Sequence, residues 1–214
     1  MTAENPQTKE KLLAAALKEF AENGLAGARV DRIVRAAGVN KQAVYYYFQD
    51  KDDLYRAVLE RCYELAHADD EAIRGYGETG AQAMEFLLDR IFTRLAGLRD
   101  VIAVVSDENR NRGKHLPNVR AREINRPLIE AIAEILRRGA ADGTLRAGID
   151  AEQLWITILS SIMFYFSNIF TLSNLLARDL DCDKEIEARK IFVTDFMMAA
   201  VRSSRSDERA AIQS

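Results

Sequence analysis

Apolar residues recur along the chain at intervals of three and four, and breakers separate the runs at lengths that suit helices. Leu13, Ala16, Leu17 and Phe20 mark a first helix. Asn5 is placed to cap it, Pro6 takes its first position and Gly24 falls just past its end. After a turn at Gly24 to Gly27, a short helix is predicted from about Val30 to Ala37, with Ile33, Val34 and Ala37 apolar. Gly38-Val39-Asn40 stops it. Asn40 then caps a third short helix, about Lys41 to Phe48, on which Val44 and Phe48 lie one turn apart. Asp50 caps a fourth, with Asp53 in the capping-box place. Leu54, Tyr55, Val58, Leu59, Cys62, Tyr63 and Ala66 continue that helix in pairs, until Gly75-Tyr76-Gly77 ends it.

The pattern stays helical beyond Gly80. Residues 81–98 turn Met84, Leu87, Leu88, Ile91, Phe92 and Leu95 inward. Val101 to Val105 has strand character but no partner strand, so a helix to Arg110 is expected. A loop at Gly113 to Pro117 precedes a helix from Pro127 to Arg138. An uncharged helix from Glu152 to Leu176 and an amphipathic one from Asp183 to Arg202 complete about nine helices and no sheet. The polar tail after Ser203 reads as frayed.

Composition narrows this to a soluble all-α protein. The chain has 214 residues, 48% hydrophobic and 29% charged, with three prolines. Net charge is -3, which argues against a protein that coats nucleic acid. The charge is uneven. Gly27 to Lys51 holds five cations and two anions, so the remainder carries -6. A cationic module on an acidic body is expected. Cys62 and Cys182 have no metal-ligand spacing, and the N-terminus has no apolar core. Both point to a cytoplasmic protein with reduced thiols, no signal peptide, no cofactor and no metal. The uncharged run is long enough to cross a bilayer, but its density of Ser, Thr and Asn favours a buried helix instead.

Residues 28–48, ARVDRIVRAAGVNKQAVYYYF, carry the chemistry. Two short helices around a glycine turn have the layout of a helix-turn-helix. The exposed first turn of the second helix offers Asn40, Lys41 and Gln42. Gln pairs with an adenine edge, and Lys reaches guanine or phosphate. Tyr45, Tyr46 and Tyr47 cannot all face one core, since Val44 and Phe48 take the inward stripe. At least two are then wet, where hydroxyls bond phosphate. Lys51, with the free N–H groups of its helix start, makes an anion site. The same layout occurs in other all-α proteins, so spacing alone leaves ordinary packing open.

This stretch resembles the TetR family of bacterial one-component regulators. Ile33, Ala36-Ala37-Gly38-Val39, Tyr45-Tyr46-Tyr47-Phe48, Lys51 and Leu54 carry the resemblance, over about residues 10–58. The run Arg138-Gly139 through Leu145-Arg146, then Ile149 to Trp155, resembles one large branch of these regulators. Departures occur at Arg29-Val30, where the family often has Thr, and at Gln42 and Ala43, where small residues and Thr are frequent. The resemblance implies DNA-facing positions at Arg29, Asn40, Lys41, Gln42, Ala43, Tyr45, Tyr46, Tyr47 and Lys51. It implies a helix-turn-helix domain at 1–50 joined by a long helix to a helical-bundle body at 51–214. That body would bind an effector and dimerise through its last two long helices.

The function expected is a repressor released from a pseudo-palindromic operator by a small molecule. Two other readings remain, an all-helical enzyme and a DNA-binding protein with no effector. Enzyme motifs are absent: His67 and His115 show no H-x-x-x-H, and there is no G-x-S-x-G and no phosphate-cradling loop. Asp179, Asp181 and Asp183 mimic a calcium loop, but Lys184 and Lys190 stand where Gly and Glu are required. These acids are expected to precede and cap the last helix. Candidate effector contacts are Phe86, Phe92, Glu108, Asn109, Arg112, His115, Trp155, Tyr165 and Asn168. Packing is the alternative for each apolar one, and a surface i,i+4 pair for Glu108 and Arg112. The basic residues Arg110, Arg112, Lys114, Arg120 and Arg122 suggest an anionic effector, an extra DNA contact or simply a solvated face.

Overall fold

The computed structural model describes residues 6–67, 76–115 and 118–203, and the side chains of 67 and 118–121 lie outside that description. Asn5, the end of the fourth helix near Gly75, Pro117 and the tail therefore lie outside the described residues. Ten helices follow in order: α1 Pro6–Gly27, α2 Val30–Ala37, α3 Lys41–Tyr47, α4 Lys51–His67 and α5 Gly80–Ala96. Then come α6 Arg99–Arg110, α7 Asn118–Ala141, α8 Ala151–Ser167, α9 Ile169–Leu176 and α10 Asp183–Val201. No strand occurs among the described residues, only a single bridge between Leu145 and Arg202.

Three expectations change. The uncharged run is two helices, α8 and α9, bent by 72° at Asn168. Asn168 uses its side-chain amide on the Phe164 carbonyl at 2.9 Å, which competes with the helical ladder. No single described helix is then long and apolar enough to cross a membrane. Secondly, α7 does not start at Pro127 but runs through it. Pro127 is exposed, so its ring meets solvent instead of the core. Thirdly, α1 resumes for one turn beyond Gly24, which is itself non-helical at φ 63, ψ 174.

Helices α1–α4 pack with α6 and the first residues of α7 as one compact unit. Its core joins Leu12, Ala16 and Phe20 to Ile33, Val44 and Phe48, and then to Leu54, Tyr55, Val58 and Leu59 of α4. Val101 and Val104 of α6 complete it. The hydrophobic core therefore does not stop at residue 50, the expected end of the helix-turn-helix domain, but takes in α4 and α6. The phenol of Tyr55, wholly buried, lies 3.3 Å from Asp107 Oδ2 and 3.3 Å from the Val104 carbonyl. The same Asp107 oxygen accepts the Leu25 N–H at 2.9 Å, and its second oxygen accepts from Arg110. Asp107 thus ties the end of α1 to α4 and α6. Cys62, deep in this core, has its thiol pushed up to about 12 by burial.

The second unit comprises α5, the rest of α7 and α8–α10. Thr79 and Gln82 cap α5 reciprocally, each side chain serving the other's backbone N–H. Gly80 and Gly139 allow α5 and α7 to touch, because a Cβ on Gly80 would stand 2.2 Å from the Gly139 Cα. Arg138 fastens the same corner by donating to the Tyr76 and Thr79 carbonyls at 2.8 and 3.2 Å. At the start of α10 the N-cap is Cys182 with no side-chain cap bond, while Asp183 and Glu185 occupy the first turn.

Burial alone would raise the Asp107 carboxyl. The bonds from Leu25, Arg110 and Tyr55 outweigh burial and hold it below the usual carboxylate range. Its stabilising contribution is therefore present above the unfolded value and lost as pH falls through the folded one. Asp107→Ala should cost about 2–4 kcal/mol in urea melts at pH 7, since it strands the Leu25 N–H and leaves the Tyr55 hydroxyl only the Val104 carbonyl. That deficit should shrink in melts taken at progressively lower pH. A deficit unchanged with pH would mean that the carboxylate charge is not what holds the turn.

Candidate nucleic-acid interface

Helix α3 is built as a short polar edge on an apolar footing. Asn40 has extended backbone and its Oδ1 accepts the Ala43 N–H at 2.9 Å, which starts the helix. Val44 and Phe48, at 0% and 4% exposure, point into the core. Tyr45 and Tyr46 on the other side are 57% and 58% exposed. Tyr47 is half-buried, with its ring edge-on to Tyr46 at 4.8 Å. Lys41 and Gln42 are exposed and Ala43 is half-buried. Gly38, at φ 67 and ψ 33, closes α2 in the left-handed region. No atom crowds its missing Cβ, so backbone conformation alone selects glycine here.

The neighbouring cations are more committed than the sequence suggested. Lys51 Nζ donates to the carbonyls of Leu25 at 2.7 Å and Ala28 at 3.2 Å. It caps the turn between α1 and α2 instead of standing free as an anion site. Lys41 pairs with Asp31 of α2 at 2.9 Å, which raises the Lys41 pKa and lowers that of Asp31. Arg29 is the N-cap of α2, with its backbone N–H on Glu19 Oε1 at 3.0 Å and its side chain exposed. Glu19, 8% exposed, also lies 3.3 Å from Arg32.

Sequence reading missed Glu19, Asp31 and Asp107 as organising residues. Glu19 and Asp107 carry one faint signal, an acid set into an otherwise apolar helix face. The Asp31–Lys41 pair has none, because the crossing of α2 and α3 creates it.

The nine candidate effector contacts divide between the two units. Glu108, Asn109, Arg112 and His115 belong to the first unit, and Phe86, Phe92, Trp155, Tyr165 and Asn168 to the second. Glu108 and Arg112 do not form the i,i+4 surface pair that is the alternative to an effector contact. Glu108 is buried and accepts the His115 N–H at 2.6 Å, with His115 Nδ1 at 2.8 Å from its other oxygen. His115 is likewise buried, not solvated, and its Nε2 lies 3.9 Å from Asp52. Asn109 bonds back to the Val105 carbonyl on the surface. In the second unit Phe86 stacks on Tyr76 at 3.7 Å. Phe92 meets Phe166 at 5.5 Å, and Phe166 meets Tyr165 at 5.1 Å. The Tyr165 hydroxyl donates to the Leu180 carbonyl at 2.7 Å, while Trp155 Nε1 is buried with no hydrogen-bond partner.

An all-α chain whose N-terminal helices present a short polar helix behind a glycine turn has the make-up of a helix-turn-helix DNA-binding regulator. Residues 12–58 match the "Bacterial regulatory proteins, tetR family" domain, and residues 81–197 match the "Tetracyclin repressor-like, C-terminal domain". The HTH-type transcriptional repressor NicS of Pseudomonas putida is 30% identical, covering 92% of this chain and 93% of that protein. A TetR family transcription regulator from Marinobacter aquaeolei has the same fold, with a TM-score of 0.69 at 14% identity over 92% of this chain and 97% of that one. So does the transcriptional regulator FadR from Bacillus subtilis, solved with stearoyl-CoA, with a TM-score of 0.66 at 20% identity over 88% and 97%. The chain belongs to the TetR family of bacterial regulatory proteins.

The two lysines should part company in thermal melts. Lys51→Met removes both bonds to the turn and should lower stability by about 1–2 kcal/mol. Lys41→Met removes only an exposed pair and should leave the melting midpoint in place. Equal midpoints for Lys51→Met and the parent chain would show that the capping bonds contribute nothing.

Proposed function

We propose that this regulator is a repressor that holds a pseudo-palindromic operator as a homodimer and releases it when a small molecule binds its body. The observation that carries the DNA reading is the outward edge of α3. Lys41, Gln42, Tyr45 and Tyr46 are exposed while Val44 and Phe48 anchor the opposite side. Gln42 and Lys41 read base edges, worth about 1–3 kcal/mol per good contact. Arg29, the tyrosines and the Asn40 end of the helix hold phosphate. Ala43 offers a methyl surface to thymine. Lys51 acts at one remove, by fixing the turn that carries Arg29.

Apolar side chains left in water support the dimer. Phe164 is 60% exposed, Phe170 and Leu175 are 75%, and Phe192 and Phe196 are 59% and 61%. They sit on α8, α9 and α10, the last helices of the chain. Exposed apolar surface of this kind marks a protein partner, and a second copy brings a second reading helix to the same duplex. The unpartnered Trp155 Nε1 and the aromatic group Phe92, Tyr165 and Phe166 support an apolar or ring-bearing effector with an acceptor atom.

Selection from a random duplex pool tests the DNA reading. The parent chain should enrich an inverted repeat. Gln42→Ala and Lys41→Ala should change which sequences are enriched, while Tyr47→Phe should weaken binding evenly across sequences. Identical behaviour of the two groups would overturn this division of roles. For the dimer, sedimentation at micromolar concentration should show two chains, and Phe196→Asp should yield monomers with much weaker operator binding. A monomeric parent chain would end the proposal. A metabolite that raises the melting temperature should also release the selected duplex.

A further inference from the structure

The turn that follows α6 carries three cations in five residues, Arg110, Arg112 and Lys114. All three are exposed, Arg110 with 77% of its side chain in solvent. Arg110 pairs with Asp107, whereas Arg112 and Lys114 meet no acid among the described residues.

This turn is built, not loose. The Arg112 N–H donates to the Asn109 carbonyl at 3.1 Å and the Gly113 N–H to the Glu108 carbonyl at 3.0 Å. These are the paired bonds that close a helix with one left-handed residue. Asn111 Nδ2 donates to the Asp107 carbonyl at 3.1 Å, and His115 is held by Glu108. The left-handed residue in this motif is usually glycine. Here it is Arg112, at φ 62, and Gly113 after it is left-handed as well, at φ 66. A side chain is strained there where glycine is not, and the exposed guanidinium forms no ion pair among the described residues. A strained residue kept without structural benefit directs attention to function.

Its place gives the function. Asp107, three residues before Arg110, accepts the Leu25 N–H, and the Leu25 carbonyl accepts from Lys51. His115, just past the turn, faces Asp52 on the first turn of α4. The cations therefore border the α1–α2 turn that carries Arg29 and the leading end of α4, the two segments that flank the reading helix.

We infer that Arg110 to Lys114 is a second, sequence-independent DNA contact, a phosphate-binding turn that grips the backbone beside the bases read by α3. The planar guanidinium of Arg112 suits two-pronged phosphate bonding, and Lys114 adds a point charge. Such contacts fix register and strengthen binding without carrying base information. The inference rests on the reading that α3 meets DNA.

Three proteins separate the two ideas: the parent chain, Arg112→Gly with Lys114→Ala, and Lys41→Ala with Gln42→Ala. Each is titrated by fluorescence anisotropy, over a range of salt, against a duplex selected by the parent chain and a scrambled duplex of equal length. The turn variant should lose about four units from the slope of log affinity against log salt, two cations from each subunit of the dimer. It should bind both duplexes roughly tenfold more weakly without changing its preference. Its melting temperature should rise, because glycine relaxes the left-handed position. Arg112→Lys should recover most of the slope. The α3 variant should instead lose the preference between duplexes. A turn variant with parental slope and affinity, beside an α3 variant that has lost its preference, overturns this inference alone. A parent chain with no salt-dependent duplex binding removes both ideas.

Discussion

Seven residues cannot hold a helix together in water, because nucleation is costly and an isolated helix of that length is marginal at best. That constraint governs α3 and, through it, the reading edge of the protein. The helix persists because Asn40 satisfies one of its first N–H groups and because Val44 and Phe48 are drawn into a core that α1, α2, α4 and α6 also share. Burying each of those side chains is worth about 1.5–3 kcal/mol. Tyr45 and Tyr46 are outward because the footing takes the opposite face. Outward exposure of large aromatic rings, normally a liability, is here a geometric consequence of anchoring so short a helix.

Hydrophobic burial fixes which side of α3 faces in, but it is not directional enough to set the height and tilt of its neighbours. Polar ties do that. Asp107 accepts the Leu25 N–H, Lys51 donates to the carbonyl of the same residue, and Glu19 accepts the N–H of Arg29. One turn of backbone is thus gripped from α1, α4 and α6 by groups that are buried or half-buried, where an unmade bond costs more than a made one gains. The arrangement explains why Lys51 is a positioning residue here. Its ammonium is consumed inside the head, whereas Arg29, Lys41 and the cations after α6 keep their side chains in solvent.

Much of this was legible in the sequence. The order of the helices, the Asn40 cap, the glycine break and the split of α3 into an inner and an outer face follow from local spacing, which one chain displays in full. The misreadings share a cause. Pro127 looked like a helix start because local rules penalise proline inside a helix, yet an exposed position lowers that penalty. The run from Glu152 looked continuous because apolar character does not record a bend at Asn168. Glu108 and Arg112 looked like a surface pair because i,i+4 spacing is local, whereas the bond from Glu108 to His115 depends on how the chain turns back after α6. Nothing in the spacing of Asp31 and Lys41, or of Leu25 and Asp107, announces contact. Such pairs are made by helix crossings, and these are tertiary facts.

The same polar ties bear on how a ligand can move the head. Glu108 and His115 were expected to line a pocket, but they lie with Asp107 and Tyr55 at the junction of α6 and α4. A change from 1:99 to 99:1 in the DNA-competent state requires about 5.5 kcal/mol of differential affinity. Apolar contacts are non-directional and share such a difference among many atoms. Hydrogen bonds near 3 Å do not, because they weaken steeply with distance and angle. A displacement of α6 against α4 by one such bond length would release Leu25 and Tyr55 together. The turn that Lys51 and Glu19 also hold would then lose one of its three supports. Directional bonds at this junction, added to a close-packed core, favour discrete arrangements over a continuum, and a bistable element is what a ligand needs in order to switch rather than merely bend.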